Sequence, residues 1–278
     1  MTRKPFEFTT CGLKLSGQSY DTKNPKGVIL LIHGMGEYAR RYERSVIPVL
    51  LKNSMAVVSY DQFGHGDTEG KRGHHPGYNC ILDALEEVLS KAKSLYPEVP
   101  VFLYGHSMGG NVVINYALRR PTGLSGLIAT SPFLRLAFSP PKWKMTFGKI
   151  IDKIYPSLTM PNELDLQALS KDQDEIEAYA SDPMVHDKVS TRFSLEFMEK
   201  GAWAMEHAAT LHIPMLLVHG TKDRITSHEA SKEFAEKGGK NCELHLIENG
   251  FHELHHDLEK QLLFDTICDW LKKQITIT

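Results

Sequence analysis

The chain has 278 residues, enough for one large domain whose core buries roughly three quarters of the unfolded chain's surface, so no disulfide or metal staple is required. Apolar residues make up 41% and charged residues 24%, a balance that excludes extensive disorder. The net charge of −2 gives a nucleic-acid partner no electrostatic support, and no apolar run approaches the roughly 18 residues of a membrane span.

The opening stretch, Met1–Phe8, has no apolar h-region and does not read as a signal peptide. Phe6–Thr10 and Lys14–Ser19 alternate as the arms of a hairpin turning at Cys11-Gly12. Val28–Ile32 is a continuous apolar run ending in His33-Gly34, as in strands buried on both faces of a parallel sheet. Arg41–Lys52 reads as a helix and Met55–Tyr60 as a second buried strand. A longer helix follows over Tyr78–Tyr96, with Ile81, Leu82, Leu85, Val88, Leu89 and Ala92 on one face and Pro97 as its stop. Strand Val101–Tyr104, helix Asn111–Arg119 closed by Pro121, and strand Leu124–Thr130 complete the alternation. Such alternation predicts right-handed βαβ crossovers and a mostly parallel sheet flanked by helices.

The pattern then breaks. Residues 132–205 hold no convincing strand and carry Pro132, Pro140, Pro141, Pro156, Pro161 and Pro183 among short helical patches. Strand Ile213–Val218, helix Ser227–Lys237, strand Glu243–Ile247 and a final helix over about Leu254–Lys273 resume it. The reading is an α/β core made of residues 1–132 and 206–278, interrupted by a helical insertion over 133–205. An insertion at that point sits over the carboxyl ends of the strands, where open parallel sheets hold their sites, as a lid would.

Gly105-His106-Ser107-Met108-Gly109 matches G-x-S-x-G, a strand-to-helix turn on which a serine nucleophile is exposed. A strand feeds directly into it and a helix leads directly out, the context the motif requires. A serine needs a base to take its proton and an acid to hold the base. In the order Ser, Asp, His, the partners are Asp223 and His252, each a few residues past the end of a strand. Backbone N–H groups for the oxyanion fall on Met108, next after the nucleophile, and on Met35 in the early loop His33-Gly34-Met35-Gly36.

These motifs carry a resemblance. With His33-Gly-Met-Gly-Glu37, Arg41-Tyr42, Asp61-Gln-Phe-Gly-His-Gly66, Gly105-His-Ser-Met-Gly-Gly110, Ser181-Asp-Pro183, Gly220-Thr-Lys-Asp223, His252 and Leu254-His255, the sequence resembles the monoacylglycerol lipase and lysophospholipase branch of the α/β-hydrolases. The resemblance runs from about Gly12 to Lys273. It implies the α/β-hydrolase fold with a helical cap, and the triad and oxyanion donors just named. It implies cleavage of a small lipid ester through an acyl-enzyme on Ser107, foremost monoacylglycerol to glycerol and fatty acid, with no cofactor and no metal. It also implies a head-group site at Glu37, Arg41, His106 and Tyr179. One departure is Asp67-Thr68 after Gly66, where the family usually has serine at the second place. Alternatives on the same fold are a lysophospholipase, a short-chain carboxylesterase or, less readily, a peptidase. A catalytically idle binding module is a further alternative, against which the complete Ser107, Asp223, His252 set argues.

His252-Glu-Leu-His-His256 also spells H-E-x-x-H, the zincin pattern. Asn249-Gly250 just ahead of it places His252 before a helix rather than in one, and Glu259 stands where the extended motif needs glycine, so a zinc site is not expected. Residues 141–155 mix Lys142, Lys144, Lys149 and Lys153 with Trp143, Phe147, Ile150, Ile151 and Ile154. They read first as a cap helix burying its apolar side over an acyl pocket, and second as a basic amphipathic segment able to rest transiently on a membrane surface. The four cysteines, Cys11, Cys80, Cys242 and Cys268, form no CxxC pair and read as reduced, mostly buried thiols of a cytoplasmic protein peripheral at most to a membrane. No oligomeric state is read from the sequence.

Overall fold

Strand β3 (Gly27–Ile32) is buried along its whole length, and its side chains feed two separate cores. Val28, Leu30 and Ile32 point to one face, Ile29 and Leu31 to the other, as the two-residue period of a strand dictates. Each such side chain contributes roughly 2 kcal/mol on burial, which is why continuous apolar runs specify central strands. In the computed structural model, which describes residues 1–120 and 123–277, β3 lies inside an eight-stranded sheet.

The sheet order is β1 (Arg3–Thr10), β2 (Leu13–Tyr20), β4 (Met55–Tyr60), β3, β5 (Val101–His106), β6 (Gly126–Thr130), β9 (Met215–Gly220) and β10 (Cys242–Ile247). Pairs from β4 through β10 are parallel, whereas β1–β2 and β2–β4 are antiparallel. Helices α2 (Tyr78–Leu95), α3 (Met108–Arg119) and α7 (His228–Gly238) contribute to the core on one face, α1 (Val46–Lys52) and α8 (Lys260–Ile277) to the core on the other.

Between β6 and β9 run α4 (Lys142–Ile154), β7 (Thr159–Pro161), α5 (Gln173–Ser181), β8 (Lys188–Ser190) and α6 (Thr191–His207). This stretch crosses the strand ends. The His186 amide donates to the Gly36 carbonyl at 2.9 Å, and the Leu169 carbonyl accepts from the Glu253 amide at 2.7 Å. β7 and β8 form a three-residue antiparallel ribbon, too short for the sequence to show alternation.

Several expectations are corrected. The helix expected over Arg41–Lys52 is a 3-10 turn (Ala39–Arg44) followed by α1. Pro48 has no N–H to continue a longer helix and is tolerated only in the first turn of one that starts at Val46. The last helix starts at Lys260, not Leu254: Leu254–His256 form a separate 3-10 turn, and after it the buried Asp257 carboxylate takes the Phe251, Leu258 and Lys171 amides. Pro121 lies outside the described residues. Cys11 and Cys80 are not free thiols but a disulfide that ties the β1–β2 turn to the first turn of α2. Their separation of 69 residues hides in the sequence what the hairpin's packing against α2 creates in space. Cys242 and Cys268 are free and buried.

Helix α4 also departs from its first reading. It buries none of its residues, and Trp143, Phe147, Ile150 and Ile154 are 67%, 53%, 52% and 76% exposed. Among the described residues no helix is long and apolar enough to cross a membrane.

Candidate active site

Ser107 joins β5 to α3 with φ 51° and ψ −111°, in the left-handed half of the map that side chains avoid. The turn is tight enough that a Cβ on Gly105 would lie 2.2 Å from the Gly109 carbonyl oxygen. A Cβ on Gly109 would lie 2.2 Å from the Ile32 carbonyl oxygen. The two glycines flanking Ser107 are therefore required by contact with backbone, and their absence of side chains lets the turn close against β3.

Ser107 Oγ donates to His252 Nε2 at 2.9 Å, and His252 Nδ1 donates to Asp223 Oδ2 at 2.7 Å. All three side chains are buried. Asp223 also accepts from the Ile225 and Thr226 amides, from the Thr226 hydroxyl at 2.9 Å and from His219 Nε2 at 3.0 Å. Burial pushes the Asp223 carboxyl up, but the His252 charge and the bonds from His219 and His252 outweigh it and hold it well below the usual carboxylate range. Burial pushes His252 down, and the Asp223 charge and hydrogen bond, helped by Glu253 and Glu37, reverse the sign and leave it raised above 6.5. The pair is thus built so that the imidazole accepts a proton readily while the carboxylate stays ionised.

Met35 and Met108 line the same cavity as Ser107. Met108 is the first residue of α3, where amides lack a partner inside the helix. The Met35 amide belongs to the peptide whose carbonyl is Gly34 O. His33 Nδ1 donates to that oxygen at 2.7 Å and His33 Nε2 accepts from the Gln62 amide at 2.9 Å. A trans peptide aims its N–H opposite its C=O, so His33 orients the Met35 amide. Burial lowers the His33 pKa to about 4, which keeps the ring neutral and its Nε2 an acceptor.

Of the residues assigned to a head group, Glu37, Arg41 and Tyr179 come together and His106 lies beside them along the cavity wall. Arg41 Nη1 meets Glu37 Oε2 at 2.7 Å, and its guanidinium lies 4.7 Å from the centre of the Tyr179 ring. His106 packs 4.9 Å from the His252 ring and shares a hydrogen bond with Thr130 Oγ1. Burial lowers its pKa strongly, so it is a neutral ring. Glu37, His106 and Tyr179 line the cavity, whereas Arg41 does not.

The sequence reading missed Glu253, His219, Thr226 and His33. Glu253 grips Arg41 through both carboxylate oxygens, at 2.9 and 3.2 Å. Its position next to His252 was the available signal, and the H-E-x-x-H pattern drew it toward metal chemistry instead. Glu253, His255 and His256 do bring ligand atoms within 4.8 Å of one another. Arg41 takes both Glu253 oxygens and His256 Nδ1 lies 3.0 Å from Glu253, so a cation there would face a guanidinium at close range. His252, the first histidine of the pattern, is committed to Ser107 and Asp223. Thr68, the departure noted in sequence, donates its hydroxyl to the Asp61 carbonyl at 2.7 Å and accepts from the Ser16 amide, so a hydroxyl is retained there.

The cavity in front of Ser107 has a volume of about 380 Å³, within the usual range for small-molecule sites. Its apolar wall includes Phe133, Leu136, Leu164, Leu169, Phe193 and Met198. No residue of α4 lines it, so the isoleucines expected over an acyl pocket lie away from it.

Fold and site define an α/β-hydrolase. A family model described as "Serine aminopeptidase, S33" (Hydrolase_4) matches residues 23–259, and the chain belongs to this family. It is 32% identical over 258 residues to the monoglyceride lipase of Mus musculus, covering 90% of this chain and 84% of that one. It is also 32% identical to an uncharacterized abhydrolase domain-containing protein of Dictyostelium discoideum, of which it spans 27%. The crystal structure of Paleococcus ferrophilus monoacylglycerol lipase matches with a TM-score of 0.86 at 30% identity, over 94% of this chain and 99% of that one.

Proposed function

We propose that the chain hydrolyses monoacylglycerols to glycerol and fatty acid. The observation that carries this reading is one cavity with two chemistries. The cavity that holds Ser107 is lined by apolar side chains able to hold an acyl chain and by the polar Glu37, His106, Tyr179 and Glu253. The similarity to monoacylglycerol lipases supports it.

In this reading Ser107 attacks the ester carbonyl while His252 takes its proton. The Met35 and Met108 amides hold the tetrahedral oxyanion, each worth about 3–4 kcal/mol of barrier. His252 gives its proton to the departing glycerol oxygen, and Asp223 fixes the tautomer and stabilises the imidazolium. Water, activated by His252, then cleaves the acyl-enzyme. Residues 133–205 act as the lid over this cavity. The exposed apolar side of α4, with Lys142, Lys149 and Lys153 free of ion pairs among the described residues, supports a protein that rests on a membrane surface.

The test is hydrolysis of monooleoylglycerol against lysophosphatidylcholine and p-nitrophenyl butyrate, with Ser107→Ala as the blank. Preference for the glycerol ester supports the reading. Turnover of p-nitrophenyl butyrate alone would reduce the protein to a short-chain esterase.

A further inference from the structure

The walls of the cavity are unequal in charge. Among the described residues, its charged side chains are four carboxylates, Glu37, Glu163, Asp165 and Glu253, and one cation, Arg224. Near the entrance the charges balance, since Glu163 pairs with Lys144 at 2.8 Å and Asp165 with Arg224 at 3.2 Å. Deep inside, two carboxyl groups face one guanidinium: Glu37 and Glu253 share Arg41, burial pushes the Glu37 carboxyl up, His256 Nδ1 lies 3.0 Å from Glu253, and the neutral rings of His106 and His255 add no charge.

Position sharpens the imbalance. The Tyr179 ring lies over the Arg41 guanidinium and itself lines the cavity, so it stands between the cation and the space a ligand would fill. Both carboxylate-bearing residues border that space while Arg41 does not. A ligand at this end therefore meets two carboxyl groups and the Tyr179 hydroxyl, and no free cation. Hydroxyl groups can donate to such a wall, whereas a phosphate at neutral pH offers chiefly acceptors and a like charge. If one proton is shared between the two carboxylates, the wall is still only neutral, and no cation compensates for the water an anion would lose.

We propose that Glu253, together with Glu37 and the Tyr179 screen over Arg41, makes the head-group end of the site an anion filter. It admits neutral polyol esters and rejects esters bearing a phosphate. This rests on the monoacylglycerol reading and narrows it, because it sets the enzyme against lysophospholipid substrates.

The test uses esters soluble as monomers, so that aggregation does not enter: 1-butyrylglycerol, 1-butyrylglycerol 3-phosphate and p-nitrophenyl butyrate. For the unaltered protein, kcat/KM for the glycerol ester should exceed that for its phosphate by about 100-fold or more, as expected for a doubly charged group that loses its water against a buried wall with no free cation. Values within about threefold of each other would overturn the filter while leaving glyceride hydrolysis standing. Turnover of p-nitrophenyl butyrate without 1-butyrylglycerol would instead sink the monoacylglycerol reading. In Glu253→Gln the ratio of glycerol ester to phosphate should narrow by about tenfold, whatever happens to the absolute rates. A ratio unchanged in a folded variant would remove Glu253 from the filter. Should that variant fail to fold, competition in the unaltered protein decides: glycerol should inhibit at lower concentration than glycerol 3-phosphate, and the reverse order would refute the proposal.

Discussion

The Leu169 carbonyl oxygen and the Glu253 amide nitrogen lie 2.7 Å apart, which bonds the segment between β6 and β9 to the residue beside His252. Ser170 Oγ donates to the His256 carbonyl at 2.9 Å, and Asp257 accepts from the Lys171 amide on one oxygen and the Phe251 amide on the other. The histidine loop and the stretch around residues 168–171 are thus bonded to each other at several points. In Asp257→Asn an amide NH2 must face at least one of those backbone donors. The variant should lose about 2 kcal/mol of stability and more kcat than KM, read by urea unfolding and steady-state kinetics on a soluble ester. An unchanged unfolding midpoint would show that Asp257 does not hold the loop.

Ser107→Ala should keep its circular dichroism spectrum and lose ester hydrolysis by about 10⁴-fold or more, since the nucleophile is gone while its surroundings remain. Retention of more than a few per cent of the rate would assign the chemistry elsewhere.

The rate should depend on pH through His252, which must be neutral to accept the serine proton. Its pKa is raised above 6.5, so activity is present at higher pH and is lost as pH falls through that raised value. Glu253 is one cause of the rise. In Glu253→Gln the acid limb of kcat/KM on p-nitrophenyl butyrate should therefore move to lower pH, by about half a pH unit or more. A shift in the opposite direction would contradict the assignment of His252 as base.

Chain-length preference should follow the cavity wall and not α4. Met198→Trp should reduce activity on long acyl chains relative to butyrate by about tenfold, because the added volume fills the acyl space. Ile150→Ala and Ile154→Ala should leave the preference unchanged. On anionic vesicles at low salt, replacing Lys142, Lys149 and Lys153 by glutamine should weaken binding by roughly 1 kcal/mol per lysine, measured by sedimentation. Lys144 is omitted because Glu163 already pairs with it.

Replacing Cys11 and Cys80 by serine opens a loop of 69 residues and should lower stability by about 4 kcal/mol on chain-entropy grounds. Urea midpoints of the two proteins check this. Equal midpoints would mean that the hairpin is held to α2 by packing alone.

The strands were legible because burial on both faces leaves a continuous apolar run, as in Val28–Ile32 and Met55–Tyr60. The Ser107 turn was legible because steric demand at Gly105 and Gly109 writes itself in residue type. What escaped was what depends on contacts distant in sequence. Cys11 meets Cys80 only after the hairpin has docked, and Glu253 gains its meaning only when Arg41, remote in the chain, arrives beside it. Helix α4 misled because an amphipathic period says that one face is apolar, not what covers it. His33 looked like part of a glycine turn, and its hold on the Gly34 carbonyl exists only at atomic distances.

The left-handed backbone at Ser107 has an evolutionary corollary. A residue with a side chain in that conformation costs on the order of 1–3 kcal/mol that glycine would not. Random mutagenesis scored only by heat resistance would accordingly tend to drift toward glycine at position 107 and discard the hydroxyl. That a serine stands in such a place implies selection acting on something other than durability, and makes this position a marker of it.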